Sequence, residues 1–277
     1  MKIFLTGSTG FIGSHLLTKL QSLGYTVVTD MRFLHTQKYD CVIHLASKNN
    51  IKNEFDPELI ESNIILTKEI FKVPSRIIYA SSCVAKYPLN PYAYSKLYAE
   101  HLGAIHGNAI GLRFHNVYGP GNNKGIIWWL MQQPDGAKIT VRGEQQIRDF
   151  IFIEDVVRAI LSQIQPQPIY VDMDVLREVS IKERFTPEQL IKLAMEQNIT
   201  IGRERYVDGE RRHGVIDVGT GVGTTVMDLV NLYMKLSGKE FIIDVEDAAA
   251  YEPAEMISDN IVPHISLNNG LLKMINV

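Results

Sequence analysis

The amino-terminal half of the chain alternates short, almost continuously apolar runs with segments whose apolar residues recur at helical spacing. Each apolar run predicts a β-strand, and each longer segment predicts an α-helix. The runs fall at 2–7, 25–30, 40–47, 76–82 and 109–116, and the helical segments at 11–24, 61–73 and 90–107. Strands that are apolar throughout and separated by helices predict an α/β fold, with a doubly wound, Rossmann-type parallel sheet covered on both faces.

The second half of the chain is less regular. Its pattern predicts a strand leading into a helix at 149–164, a helix at 185–198, a strand at 215–221 and a helix at 224–238. We therefore predict an amino-terminal sheet domain at 1–165, joined by a returning strand near 214–221. The rest, 166–277, forms a smaller carboxy-terminal region with an insertion at about 168–213.

Composition excludes several classes of protein. The chain has 277 residues, of which 45% are hydrophobic, and a net charge of −3, so we expect no nucleic-acid partner. Its apolar runs are shorter than the ~20 residues that span a bilayer, so we expect no membrane segment. Cys41 and Cys83 lie in or beside apolar runs, which favours free thiols in a reducing cytoplasm. No Cys/His cluster has metal-ligand spacing, and we expect no metal.

A glycine-rich turn joins the first strand to the first helix. Gly7, Gly10 and Gly13 allow a tight turn and a close approach of the backbone to a pyrophosphate at the helix N-terminus. Asp30 ends the next strand, seventeen residues beyond Gly13, which suits a carboxylate that binds a ribose hydroxyl. Because a carboxylate repels a 2′-phosphate, the pattern predicts NAD, while Arg32 keeps NADP as the alternative.

Tyr92 and Lys96 lie four residues apart and share one face of a predicted helix. An ammonium beside the phenol favours the phenolate, so Tyr92 could exchange a proton with a substrate oxygen while a nicotinamide exchanges hydride. A Ser hydroxyl at the end of the preceding strand would orient that oxygen. The alternative is a surface helix with an incidental Tyr and Lys.

A series of motifs extends this pattern along the chain. They are TGSTGFIGSHL, HLAS, YASS, PYAYSK, LRFHNVYGPG, RDFIFIEDVVRAI and VIDVGTGVGTTVMDLV. In this order they resemble the extended short-chain dehydrogenase/reductases, above all the nucleotide-sugar epimerases and reductases of the NAD-dependent epimerase/dehydratase type. The resemblance covers most of the chain and is poor at about 31–40, 168–213 and 244–262.

The resemblance implies a set of site residues. The cofactor would contact Gly7, Gly10, Phe11, Ile12, Gly13, Asp30, Arg32, Leu45, Ala46, Tyr92 and Lys96. Asn116 would contact the sugar nucleotide and Arg148 its diphosphate, the alternative for Arg148 being a salt bridge to Asp149 or Asp155. His44 is expected to be a satisfied strand residue.

The catalytic hydroxyl has two candidates. Counting along the strand 76–82 selects Ser82, whereas counting back from Tyr87 selects Cys83. We favour Ser82, since a strand cannot slip by one residue without reversing its faces. Cys83 remains a candidate for a supporting acid/base role, and the alternative is a buried, inert thiol.

Four departures from the family pattern affect the expected function. Ten residues from Asp30 to Asp40 leave no room for one β-α unit, so Met31, Phe33 or Leu34 would form a thin adenine wall and NAD would be exchangeable. Glu252 stands where an Arg is expected. Arg203, Arg205, Arg211 and Arg212 could replace that cation or form a solvated loop. No carboxylate follows Ser82 at 83–85, which disfavours a 4,6-dehydratase.

We therefore expect an NAD(P)-dependent nucleotide-sugar epimerase or 4-keto-sugar reductase that uses Ser82, Tyr92 and Lys96. The alternative is a catalytically silent NAD(P)-binding regulatory protein of the same fold. The resemblance further implies a homodimer formed by the helices at about 56–72 and 92–106. The exposed face of the second helix would include Leu97 and Leu102, the alternative being that both residues belong to the core.

Overall fold

The computed structural model describes residues 1–49, 56–164, 171–172, 201–202, 214–249, 252–262 and 264–275. The chain divides into two units, one formed by 1–161 with 213–277 and the other by 162–212. In the second unit only the paired strands β9 (Val171–Asp172) and β10 (Ile201–Gly202) fall wholly within the described residues. The predicted helix at 185–198 and the four arginines at 203–212 lie outside them.

A six-stranded sheet forms the centre of the first unit. Its strands are β1 (Lys2–Thr6), β2 (Thr26–Val28), β3 (Cys41–His44), β4 (Arg76–Ser82), β5 (Ala109–Phe114) and β11 (Gly214–Val218). They run in the order β11-β5-β4-β3-β1-β2, and every neighbouring pair is parallel. The predicted α/β class, the parallel sheet and the returning strand are confirmed.

Helices connect these strands. They are α1 (Phe11–Ser22), α2 (Pro57–Ile60), a π-helical turn (Glu61–Ile65), α3 (Leu66–Ile70) and α4 (Pro91–His106). The strand order reverses at β1, and parallel crossovers are right-handed, so α1 and the later helices cover opposite faces. Asp56 caps α2 through a bond from the Glu58 N–H, and this cap starts the helical segment earlier than the apolar spacing indicated.

The segment between β2 and β3 has lost a β-α unit, as expected. It holds only a short 3₁₀ helix, Met31–Phe33, which Asp30 caps. Leu34 then turns inward and packs in the apolar core with Phe4 and Tyr39. The expectation that Leu34 could contact an adenine is therefore wrong, because its side chain is buried beneath the sheet edge.

A second layer is built around β8. Its strands are β6 (Asn116–Tyr118), β7 (Lys138–Arg142), β8 (Ile147–Phe152), β12 (Gly223–Thr225), β13 (Ile242–Glu246) and β14 (Glu255–Met256). Its helices are α5 (Gly125–Gln132), α6 (Ile153–Ile164), α7 (Val226–Ser237) and α8 (Leu267–Ile275). β8 pairs with β6, β12 and β14, and β7 pairs with β13. The run predicted at 109–116 is thus two strands, since Asn116 begins β6 and pairs with Phe150 rather than continuing β5.

Candidate active site

The glycine turn after β1 is shaped by two close backbone approaches. Gly7 has φ +71°, and a Cβ added there would lie 2.6 Å from the Ala46 nitrogen. A Cβ on Gly13 would overlap the Gly7 carbonyl oxygen. Gly10 is the N-cap of α1 and has no side chain to offer its first N–H groups. The turn therefore leaves the positive end of α1 open to an anion, and its residues fit a dinucleotide pyrophosphate.

A cavity of about 680 Å³ extends from this turn along the carboxyl ends of the sheet strands. It brings together most of the residues that the sequence singled out. Gly7, Gly10, Phe11, Ile12, Gly13, Leu45, Ser82, Tyr92, Lys96 and Asn116 line it. Five predicted site residues do not line it, namely Asp30, Arg32, Ala46, Cys83 and Arg148, although the Ala46 backbone lies close to Gly7. A volume of this size is within the usual range for ligand sites.

Asp30 and Arg32 pair with each other at the exposed end of β2. The Arg32 Nε lies 2.9 Å from Asp30 Oδ2, and the Arg32 backbone N–H donates to Asp30 Oδ1 at 3.0 Å. The side-chain hydrogen bond from Arg32 lowers the pKa of Asp30. The residues expected to select NAD and to admit NADP therefore form one surface ion pair, which solvent screens and a ligand can displace.

Tyr92 and Lys96 lie side by side on α4, at the cavity wall. Asn90 caps this helix by accepting from the Ala93 N–H, and Pro91 occupies its first position. The Lys96 Nζ lies 5.5 Å from the centroid of the Tyr92 ring and donates to the Ala80 carbonyl at 3.0 Å. Tyr92 also hydrogen-bonds to the Ser82 side chain. The three predicted side chains thus form one contiguous cluster.

Burial shifts the pKa values of both Tyr92 and Lys96 in the protein without a bound cofactor. Burial raises the pKa of Tyr92 to about 12, although the hydrogen bond with Ser82 offsets part of the rise. Burial also lowers the pKa of Lys96 to about 8. Desolvation penalises the charged form of both groups, and the ammonium donates to Ala80 instead of the phenolic oxygen. In the protein alone, Tyr92 therefore keeps its proton at neutral pH.

Ser82 and Cys83 differ in their surroundings. Ser82 ends β4 and lines the cavity. Cys83 starts a 3₁₀ helix, Cys83–Lys86, and its buried Sγ lies 3.8 Å from the Met256 sulfur. Burial raises the pKa of Cys83 to about 11. The geometry favours Ser82 as the oxygen-orienting hydroxyl, and this role stays a prediction.

His44 is a structural residue, as expected. Its Nδ1 lies 2.7 Å from the Thr6 hydroxyl and its Nε2 lies 2.9 Å from the Thr67 hydroxyl. Burial lowers its pKa to about 3, so the ring is neutral. Both nitrogens are satisfied within the sheet and helix layer.

Arg148 does not pair with Asp149 or Asp155, so that alternative is wrong. Its Nη1 donates to the Pro253 carbonyl at 3.0 Å, and its Nη2 lies 3.5 Å from Glu252 Oε2. The Asp149 carboxylate instead accepts from backbone N–H groups at 220 and 221, and Asp155 pairs with Arg158. The side chain of Arg148 is only 9% exposed. Glu252, which stands where a cation was expected, is thus the acidic partner of Arg148.

Asn116 lines the cavity and donates from Nδ2 to the Asp149 carbonyl at 3.3 Å. Several further polar residues of the lining were missed from the sequence, among them His115 and Lys124. The Lys124 Nζ lies 3.4 Å from Asn49 Oδ1, at the start of α5. His115 directly precedes Asn116, and its position at the end of a central strand was the signal that could have identified it.

Among the described residues, no group of three or more His, Cys, Asp or Glu side chains could hold a metal ion. No helix in the same part of the chain has the length and apolarity needed to cross a membrane.

The profile of the family described as "NAD dependent epimerase/dehydratase family" matches residues 29–168, half of the chain. The chain belongs to this family. A putative UDP-glucose 4-epimerase of Methanocaldococcus jannaschii is 25% identical over 243 residues, which cover 66% of this chain and 80% of that protein. The dTDP-4-dehydro-6-deoxy-D-allose reductase of Streptomyces bikiniensis is 27% identical over 255 residues, covering 65% and 78%.

The fold is also that of solved proteins. The structure of MoeE5 in complex with UDP-glucose and NAD superposes with a TM-score of 0.73 at 21% identity, covering 100% of this chain and 98% of that one. This likeness establishes the fold, and the family match independently identifies the chain as a member of an enzyme family named for NAD.

Proposed function

We propose that the protein is an NAD-dependent nucleotide-sugar epimerase that oxidises and re-reduces one sugar carbon. The observation that carries this proposal is the cluster of Ser82, Tyr92 and Lys96 in the same cavity as the glycine turn. The names of the relatives, an epimerase and a reductase acting on nucleotide sugars, support the substrate class. In this assignment 1–165 holds the cofactor and most of 166–277 serves the substrate.

The residues of the cavity fit NAD. Gly7 and Gly13 keep the turn free of side chains, and the α1 N-terminus meets the pyrophosphate. Asp30 would bind the adenine ribose, Leu45 and Ala46 would flank the cofactor, and Lys96 would hold the nicotinamide ribose. When bound, NAD supplies the acceptor and donor of hydride.

Tyr92 carries the proton in this scheme. In the reductive direction its phenol donates a proton to the sugar carbonyl oxygen, which the Ser82 hydroxyl orients. In the oxidative direction the phenolate must form first, and the Lys96 ammonium beside the ring is the local charge that stabilises it. Burial raises the pKa of Tyr92 before the cofactor binds, so the phenol starts protonated, as the donor role requires.

A second candidate is a 4-keto-sugar reductase that runs only the reductive half, and the reductase among the relatives supports it. The two activities differ in the cofactor that the enzyme must hold before the reaction starts, which is NAD⁺ for the epimerase and reduced cofactor for the reductase. Turnover assays with added cofactor test this, because an epimerase converts its substrate with NAD⁺ and no net consumption, whereas a reductase consumes one reduced cofactor for each 4-keto sugar.

We propose NAD rather than NADP as the cofactor. Asp30 is the carboxylate at the ribose position, and Arg32 already pairs with it. Calorimetric titration of both cofactors should give tighter NAD binding, and Asp30→Ala should narrow the difference. Tighter NADP binding by the wild type would mean that Arg32 decides the preference.

We also propose that NAD is exchangeable. Met31 and Phe33 are each 41% exposed and are the apolar side chains left to flank an adenine beyond β2. Phe33→Ala should weaken NAD binding, whereas Leu23→Ala, which removes an exposed apolar side chain at the far end of α1, is the control and should leave it unchanged. If stoichiometric NAD stays bound to the protein through extensive dialysis, the proposal that a thin adenine wall makes NAD exchangeable is wrong.

We propose a homodimer that forms through the α2–α3 segment and α4. Ile60, Ile65, Tyr94 and Ile105 are exposed on these helices, whereas Leu97 and Leu102 are partly buried. A monomer by light scattering at micromolar concentration would exclude this. Cys41 and Cys83 are both free and buried, which fits the proposed reducing cytoplasm.

Turnover with a panel of UDP-, dTDP-, ADP- and CDP-sugars tests the function. Formation of an epimer, or consumption of a 4-keto sugar with reduced cofactor, is the expected result. Binding of cofactor and sugar nucleotide without any product would instead identify a catalytically silent regulator.

A further inference from the structure

His115 occupies the wall of the substrate end of the cavity. It follows the last residue of β5, and its backbone N–H donates to the Val218 carbonyl of β11 at 3.2 Å. On the neighbouring strand Ser82 pairs with Phe114, so His115 lies one residue beyond the Ser82 position. The ring is therefore fixed between two central strands, close to the proposed chemistry.

Both ring nitrogens of His115 are buried and have no hydrogen-bond partner among the described residues. Only 1% of the side chain is exposed. A buried polar nitrogen without a partner is destabilising, and such groups usually acquire one from water or a ligand. Because the ring is covered in this structure, a ligand group that reaches it must be small, as a hydroxyl is, and the atoms that cover the ring must shift to admit it.

Asp217 on β11 lies behind the ring, with its Oδ2 3.7 Å from His115 Nε2. Burial would raise the pKa of Asp217, but contacts with His115 and Lys86 outweigh it and hold the pKa well below its usual range. The Lys86 Nζ lies 2.5 Å from the same carboxylate oxygen. The resulting anion favours a proton on Nε2, which leaves Nδ1 as an acceptor.

We propose that His115, oriented by Asp217, accepts a hydrogen bond at Nδ1 from a sugar hydroxyl of the substrate and so contributes to sugar specificity. This inference rests on the proposed nucleotide-sugar function and deepens it. It predicts that His115 contributes to recognition of the sugar and contributes nothing to recognition of the nucleotide.

Calorimetry with UDP-glucose and UDP tests this inference, using wild type, His115→Phe and the control His35→Phe. His35 is a half-exposed surface residue whose Nε2 lies 3.8 Å from Glu69 Oε2. We expect His115→Phe to weaken UDP-glucose binding about tenfold or more, since the hydroxyl loses its acceptor, and to leave UDP binding unchanged. His35→Phe should change neither. Equal losses for both ligands, or no loss for UDP-glucose, would overturn the inference.

Nuclear magnetic resonance of wild-type protein labelled with ¹⁵N-histidine gives a readout that does not depend on the fold of a variant. The His115 ring signals should move on addition of UDP-glucose and stay unmoved on addition of UDP. Unmoved signals with bound UDP-glucose would overturn the role of His115 alone. If the wild type binds no sugar nucleotide of any base, the proposed function itself is wrong, and the inference is excluded with it.

Discussion

The cofactor end and the substrate end of the cavity are held by different kinds of contact. At the proposed cofactor end, Gly7 packs against the backbone of Ala46, and Gly13 packs against the backbone of Gly7. All of these residues lie within about forty positions of one another in the sequence. At the proposed substrate end, His115 of the lining lies beside Asp217, and Arg148, outside the lining, lies beside Glu252, with roughly a hundred residues of sequence between the partners of each pair. The shape of the cofactor end thus depends on local backbone geometry, whereas that of the substrate end depends on pairs of side chains distant in sequence. Side chains at the substrate end can be replaced without changing the fold, so substrate specificity can change there.

Among the changes that compare the two ends, the largest effect is expected at the boundary between them. Ser82→Ala should lower kcat by about a hundredfold or more, within the range of acid–base contributions, because the substrate oxygen loses its orienting hydroxyl. Cys83→Ala is the neighbouring control and should be milder. Steady-state kinetics on both variants checks this, and the reverse order would assign the role to Cys83.

The second effect concerns stability and pH. Burial lowers the pKa of Lys96 from 10.5 to about 8, so the folded state releases the proton earlier than the unfolded state. The unfolded chain binds more protons between these values, and stability therefore rises with pH across this window. Lys96→Met should be more stable than wild type below pH 8 by up to about 3 kcal/mol.

Chemical denaturation of both proteins at several pH values measures this difference. The advantage of Lys96→Met should vanish above about pH 10.5, where both states of the wild type are neutral. A difference that does not depend on pH would show that Lys96 is not desolvated.

The third prediction tests the role of the backbone at the cofactor end. Gly13→Ala should weaken NAD binding by about tenfold or more, because its Cβ overlaps the Gly7 carbonyl and pushes α1 away. Gln21→Ala, an exposed change near the far end of the same helix, is the control. Equal NAD affinities of the two variants in calorimetry would contradict the local account of this end.

The prediction with the smallest expected effect tests the substrate end. Glu252→Gln removes the carboxylate beside Arg148 but keeps its shape, and it should tighten binding of UDP by a few-fold, since one nearby negative charge is lost. Lys273→Gln, which removes a surface charge that pairs with Glu154, is the control. Unchanged UDP affinity in Glu252→Gln would mean that the diphosphate binds elsewhere.

Sequence patterns predicted what depends on local geometry. The sheet strands, the glycine turn, the Tyr92–Lys96 helix and the missing unit after Asp30 all follow from periodicity, spacing or chain length. They did not predict that Leu34 turns inward, that Arg32 pairs with Asp30, or that burial keeps Tyr92 protonated. Those features depend on which side chains the fold brings together and on how far it removes them from water.

Turnover of the Tyr92→Phe variant tests the central claim most directly. With binding of NAD and the nucleotide sugar verified by calorimetry, the loss of one hydroxyl should lower kcat by about a hundred- to ten-thousandfold, because the substrate oxygen loses its proton partner. The unchanged ring keeps its contact with Lys96, so affinities should stay near those of wild type. Turnover equal to wild type, or a wild type that binds both ligands and forms no product, would contradict the account.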